Sequence, residues 1–263
     1  MSAVVALDAR RAARNFSAAA PRYEQAAQLQ ATTRAQLLEQ LGAQQSQARC
    51  IVDLGCGTGL AVPLLRERYP DARVIGLDRA AGMIDVARGT ALRDAVVADA
   101  QALPFAAASV DLLYANLSLQ WCPRPQAALR EAARVLRPDG LLAMAVPGPA
   151  TLQELRLAWR QIDDDEHVHR FAPLDRWLAQ ASAAGLVLAD RHTALYRPRH
   201  RDALALMQSL RDIGAVNAST ARRQRWLGKS ALARLEAAYA PRHADGTIAA
   251  SWEIFYLLLR RPP

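Results

Sequence analysis

Glycines alternate through VDLGCGTG (52–59), the segment of the sequence best suited to hold a ligand. Gly55, Gly57 and Gly59 let a backbone turn tightly and approach a bound molecule without Cβ interference. A glycine-rich turn from a strand into a helix forms the nucleotide pocket of doubly wound sheets. The spacing here is G-x-G-x-G, whereas dinucleotide folds use G-x-G-x-x-G with pyrophosphate on the helix N-terminus. Asp53 precedes the loop and no second cationic clamp is near, which suits a cationic ligand better than a pyrophosphate. Asp78 follows Gly59 by nineteen residues, where a carboxylate can accept both ribose hydroxyls of a nucleoside. Asp99 stands to accept from an adenine amino group, and Asn116 with Leu117 completes the rim. A lone aspartate at such a place reads as a helix cap. Positions recurring at successive strand ends read as a nucleoside site.

The elements that must position these groups are legible as alternating patterns. Short apolar, β-rich runs occur at 50–54, 73–78, 94–99, 110–116 and 140–146. Amphipathic stretches at 60–69, 81–89 and 125–136 separate them. That alternation predicts βαβ units in a doubly wound, mostly parallel α/β sheet. RPDG (137–140) is expected to end a helix and start the fifth strand. Residues 10–41 read as helix; later helices are expected at 151–162, 173–184, 201–213 and 230–240. Extended segments at 186–196 and 247–259 close the pattern, with Trp252 and Tyr256 as core of the last strand. One domain over 1–263 follows: a cap at 10–45, a core at 49–147, and lid insertions at 148–172 and 199–245.

The 263 residues are 52% hydrophobic, enough to bury a sizeable core and to exclude a disordered chain. Lys and Arg total 33 against 25 acids, giving a net charge of +8, and Lys229 is the one lysine among those cations. Cys50, Cys56 and Cys122 form no CxxC pair, as in a reduced cytosolic protein. No stretch has the roughly 20 uncharged apolar residues of a membrane span, so a cytoplasmic protein without a membrane partner is expected. DDDEHVH (163–169) resembles a metal site in composition, but helical faces would scatter its side chains, and no metal is expected.

Through residues 50–147 the glycine loop and acidic strand ends resemble the class I S-adenosylmethionine-dependent methyltransferases, a Rossmann-like fold with a seven-stranded sheet. The resemblance implies S-adenosylmethionine as cofactor, with Gly55 to Gly59 at its methionine part, Asp78 at the ribose and Asp99 at the adenine. Asp53, Cys56, Arg79, Met83, Ala100, Asn116 and Leu117 join the implied cofactor set. Outside the core, FSAAAPRYEQAAQLQ (16–30), NLSLQW (116–121), HRFAP (169–173) and SLRDIGAVN (209–217) resemble the malonyl-[acyl-carrier protein] O-methyltransferase family of biotin synthesis. That resemblance implies methylation of the free malonyl carboxylate. The departures are the first dozen residues and the basic stretch 218–229.

The residue chemistry agrees with that implication. A malonyl carboxylate, with a pKa near about 4, is ionised at neutral pH and needs no general base. No Ser-His-Asp or Cys-His arrangement stands out, so positioning and water exclusion must do most of the catalysis. Arg170 is the candidate cation for the carboxylate, with Arg211 next, since guanidinium forks match carboxylates. Tyr23 is expected to cap the cofactor, and Trp121 and Phe171 to wall the substrate tunnel. Residues 190–263 carry thirteen Lys and Arg against six acids, an expected docking face for an acidic carrier protein. Two other readings stay open: a methyltransferase of a small dicarboxylate or quinone precursor, and a basic, non-catalytic nucleoside- or RNA-binding module. No RNA motif or aromatic stacking face supports the last, and no nucleic-acid partner is expected.

Overall fold

The computed structural model describes residues 7–42, 47–90, 92–220 and 228–263. Half of the first dozen residues' possible extension (1–6), the end of the cap at 43–46, and most of the basic stretch, with Arg222, Arg223 and Arg225, therefore lie outside the described residues.

The helical beginning is divided where its sequence demands. α1 (Ala9–Ala19) starts at Asp8, whose side chain accepts the Arg11 N–H at 3.0 Å. A single helix over 10–41 was the expectation. Instead a tight turn at Ala20–Arg22 holds Pro21, and α2 (Tyr23–Ala26) ends at the non-helical Ala27 before α3 (Gln28–Leu41). Proline has no N–H to continue the ladder and clashes with the preceding turn. The break places Tyr23 on its own short element.

Strands β1 (Cys50–Leu54), β2 (Arg73–Asp78), β3 (Ala95–Val97), β4 (Val110–Asn116) and β5 (Leu136–Pro147) run parallel. They are joined by α4 (Val62–Arg68), α5 (Ala81–Gly89) and α6 (Pro125–Val135). After α7 (Gln153–Arg160) and α8 (Leu174–Ala183) come β6 (Val187–Tyr196) and β7 (Arg199–His200). α9 (Ala203–Asp212), α10 (Lys229–Ala238), β8 (Ile248–Ala249) and β9 (Trp252–Arg260) complete the chain. The seven-stranded sheet has the order β3-β2-β1-β4-β5-β9-β6, with β9 antiparallel to both neighbours. The order reverses between β1 and β4, and such sheets bind ligands at that switch point.

RPDG behaves differently from expectation. α6 already stops at Val135, and β5 runs straight through residues 137–140, with Asp139 at φ 63°. Asp139 N–H donates to Arg261 O, and Arg261 N–H to Gly140 O, each at 2.9 Å. These bonds extend the pairing with β9 and hold the segment extended.

Side chains alternate between two cores. Val52, Leu54, Leu257 and Leu259 face α6 and α8, whereas Ile51, Tyr256 and Leu258 face α3, α4 and α5. Tyr256 is buried, as expected. The lid has a separate core in which Leu155 and Trp159 of α7 meet Leu206 of α9 and Leu235 of α10. No helix among the described residues is long and apolar enough to cross a membrane.

Candidate active site

The glycine loop sits where the ends of β1, β2 and β4 converge. Gly55, Gly57 and Gly59 all have positive φ, at 73°, 55° and 88°. Gly55 is also sterically forced, since a Cβ there would lie 2.3 Å from Ser118 Cβ. Ser118 is held in place by donating to Leu54 O at 2.6 Å. Leu117, just before it, adopts φ 51°, an uncommon left-handed conformation for a branched side chain at the edge of the cavity.

Asp78 ties the loop to β2. Its Oδ2 accepts the Gly57 N–H at 3.0 Å and its Oδ1 the Ala80 N–H at 2.8 Å. Burial raises its carboxyl above the usual range, and these backbone donors pull the other way. Asp99 lies just beyond the short β3, accepts from Gln101 N–H at 2.9 Å and pairs with Arg79 at 2.9 Å. One cavity is lined by Gly55, Gly57, Asp78, Asp99 and Asn116, with Tyr23 over it from the cap. Arg79, Met83, Ala100, Leu117 and Trp121 also line it.

Three residues of the implied cofactor set stand behind that wall. Gly59 faces Ala87 of α5, 3.5 Å from where its Cβ would be. Cys56 is buried against Gly76, and burial pushes its thiol well up. Asp53 is 2% exposed, and its Oδ2 has no hydrogen-bond partner among the described residues. Burial, and then the neighbouring Asp78, raises the Asp53 carboxyl to about 7, while Arg34 of α3 opposes the shift. Asn116 donates to Gln30 O at 3.0 Å, and its buried Oδ1 has no partner among the described residues. Unpaired acceptors beside a group of carboxylates fit a ligand bearing cationic and N–H or O–H donor groups. S-adenosylmethionine is such a ligand, and a pyrophosphate is not.

A second cavity adjoins the first and shares Phe16, Tyr23, Leu117 and Trp121 with it. Its remaining wall comes from the lid: Leu155, Trp159, His169, Phe171, Met207 and Arg211 among others. Trp252, expected in the core of the last strand, also borders it, because β9 ends there against the lid. Phe16, Trp121 and His169 meet edge to face, at 5.2 and 5.1 Å between ring centres. His169 Nε2 accepts the Ala218 N–H at 3.0 Å, which places the proton of the neutral ring on Nδ1. Burial lowers its pKa to about 4, so it is uncharged at neutral pH. Burial also holds the Tyr23 phenol protonated far above its ordinary range.

Arg170 lies elsewhere than the sequence reading placed it. It is exposed and lines a third, outer cavity, whereas Arg211 lines the one beside the cofactor cavity. Asp163, Asp165 and His167 also differ from expectation. They come within 4.8 Å of one another because the chain turns after α7 and no helix separates them. His167 Nε2 bonds Asp163 Oδ1 at 2.7 Å, and its ring stacks on Trp159 at 3.8 Å, which gives the group a packing role. Phe16, Gln120 and His169 lie inside quoted segments but carried no assigned cavity role, and Trp252 was read as core; all four line the lid cavity.

Residues 52–144 match the family described as "Methyltransferase domain". The chain is 36% identical to a malonyl-[acyl-carrier protein] O-methyltransferase of Methylovorus sp., covering 95% of this chain and 88% of that one. It is 39% identical to the enzyme of the same name from Halorhodospira halophila, over 95% and 87%. A biotin biosynthesis bifunctional protein BioHC of Cellvibrio japonicus is 38% identical over 98% of this chain, which spans 51% of that longer protein. Among solved structures, YcgJ of Bacillus subtilis superposes with a TM-score of 0.61 at 17% identity, over 88% of this chain and 99% of that one. A geranyl diphosphate C-methyltransferase from Streptomyces coelicolor gives 0.54 at 16%, over 88% and 79%. These structures share the fold, and the sequence relatives fix the family. The chain belongs to the malonyl-[acyl-carrier protein] O-methyltransferases, which take their methyl group from S-adenosylmethionine.

Proposed function

We propose that this chain methylates the free carboxylate of malonyl-acyl-carrier protein, and that Arg211 holds that carboxylate. The supporting observation is the lid cavity: largely apolar, sharing Tyr23 and Trp121 with the cofactor cavity, and bearing Arg211 on its wall. When bound, S-adenosylmethionine supplies a methyl group on a sulfonium sulfur, which departs as a neutral thioether. The carboxylate oxygen forms the new bond to that methyl carbon, and no proton has to move. The protein's task is therefore alignment. Asp78, Asp99 and Asn116 hold the nucleoside, Asp53 balances positive charge, and the Tyr23 and Trp121 rings keep water from the junction. His169, neutral at working pH, offers its Nδ1–H as a donor and does not serve as a base.

The acidic carrier protein is proposed to dock on the basic face of residues 190–263. Several of its arginines are already paired: Arg199 with Asp245 at 3.5 Å, Arg201 with Asp202 at 2.8 Å, and Arg242 with Glu236. Steering is assigned to the net positive field of the segment as a whole, not to any one arginine. Mass spectrometry of malonyl-carrier protein incubated with S-adenosylmethionine tests the proposal. A gain of one methyl is expected; methylation of small dicarboxylates or quinone precursors alone would overturn it.

A further inference from the structure

On the far side of Trp121, His169 and Phe171, which it shares with the acceptor cavity, lies the outer cavity that Arg170 lines. Its opposite wall is α8, which contributes Arg176, Trp177 and Gln180. Trp177 is 2% exposed, yet its indole Nε1–H finds no acceptor among the described residues. Gln120 lines both cavities. It donates through Nε2 to Leu117 O at 2.6 Å, which fixes its amide, and its buried Oε1 has no donor among the described residues. A stranded donor and a stranded acceptor are costly in a folded protein unless a ligand meets them. A secondary amide supplies one carbonyl and one N–H.

The rim of the same cavity is cationic. Arg170 and Arg176 are both exposed there, with Glu166 as the opposing acid. Arginine forks match the oxygens of a phosphate. Beyond the aromatic residues shared with the acceptor cavity, the outer cavity therefore carries one stranded acceptor, one stranded donor and two guanidinium groups.

We propose that the outer cavity binds a phosphopantetheine arm, with Gln120 and Trp177 meeting an amide and Arg170 and Arg176 meeting the phosphodiester. This rests on the reading that the acceptor is a malonyl thioester of a carrier protein. It makes Arg170 a phosphate ligand and leaves the malonyl carboxylate to Arg211. The partition of Trp121, His169 and Phe171 is where the thioester crosses between the cavities.

Phosphopantetheine and pantetheine, which differ by the phosphate alone, are the probes. Each is titrated by calorimetry into protein saturated with S-adenosylhomocysteine. Wild type should bind phosphopantetheine at least tenfold more tightly than pantetheine. The double variant Arg170→Gln, Arg176→Gln should bind both probes alike, and Trp177→Phe should weaken both by severalfold in parallel. Coenzyme A, which carries the same arm, should compete with phosphopantetheine for the site. Equal affinities in wild type, or a double variant that loses both probes equally, would overturn the assignment. The binding readout is separate from methyl transfer. A protein that passes it yet methylates no malonyl thioester would contradict the proposed function and leave the arm site standing.

Discussion

The cofactor and acceptor cavities touch at Tyr23 and Trp121, yet they are built in opposite ways. The first is made largely by backbone: a loop with three positive φ values, and carboxylates at strand ends fixed by main-chain N–H donors. The second is made by side chains from segments far apart in the chain, with rings at 16, 121, 159, 171 and 252. A backbone-built site keeps its shape through changes of surface sequence, whereas a side-chain site changes its ligand with each substitution. The same fold can therefore hold one cofactor and serve many acceptors.

The sharpest way to break the backbone-built half is Gly55→Ala. The added Cβ meets Ser118 at 2.3 Å and adopts an unfavourable φ. Strain and overpacking of about 2–4 kcal/mol are expected, lowering Tm by roughly 5–15 °C. S-adenosylhomocysteine affinity should fall at least about a hundredfold by calorimetry, because the loop must shift. Retained affinity would show that the loop tolerates the methyl and that backbone shape is not what holds the cofactor.

In the side-chain half, Arg211→Gln should lower kcat/KM for the malonyl acceptor by about 10–150-fold, the value of one charged hydrogen bond. Cofactor affinity should hold, since Arg211 is absent from the cofactor cavity wall. Parallel loss of both would mean that the two cavities are one energetic unit.

A pH titration separates the halves by charge. In the free protein the Asp53 carboxyl is raised to about 7 by burial and by Asp78, with Arg34 opposing. A cationic cofactor favours the ionised form, so cofactor Kd should rise by about tenfold for each pH unit below 7 and be flat above it. Asp53→Asn should remove that slope. The sign for stability is opposite without cofactor. The folded state holds this proton more tightly than the unfolded chain, so Asp53 makes stability fall as pH rises from about 4 to 7. At saturating cofactor, acceptor turnover should stay level from about pH 6.5 to 8, because His169 titrates near 4. A single-proton rise in that window would restore a general base to the mechanism.

The smallest effect concerns docking. KM for malonyl-carrier protein should rise by roughly threefold to tenfold between low and physiological salt, as steering is screened over about 8 Å. Malonyl-pantetheine should show little of this. An equal response from both acceptors would move the docking surface away from residues 190–263.

The same contrast decides what was legible in the sequence. Gly55, Gly57, Asp78 and Asp99 could be read because each follows a short apolar run, so the strand pattern alone fixes their common edge. Their bonding partners could not, and so the hold of Asp78 on the Gly57 N–H emerges from the structure alone. Gly59 looked like its neighbours but turns toward α5, a difference of direction that the motif does not encode. In the lid, Trp252 read as core because its strand pattern is that of a buried strand. Its place beside the acceptor depends on where α7 and α9 pack, over contacts that no local pattern specifies. On paper Arg170 ranked ahead of Arg211 as the cation, and no local pattern reversed that order. Only the partition of Trp121, His169 and Phe171 separates them.

The position of β9 has a consequence for how the molecule forms. Strands β1 to β3, and β4 with β5, pair as successive βαβ units over short stretches of chain, and β4 joins β1 through the longer Ile51–Leu112 pairing. β9 must then slot between β5 and β6, joining Leu141 to Arg260 and Val187 to the same residue. Pairings of that sequence separation are slow to form, since the loop entropy is lost before the contacts repay it. Refolding should therefore be biphasic: a rapid assembly of the nucleoside half, then a slower step in which β9 inserts and brings Trp252 to the acceptor cavity. The capacity to bind nucleoside should return before the capacity to bind an acyl group.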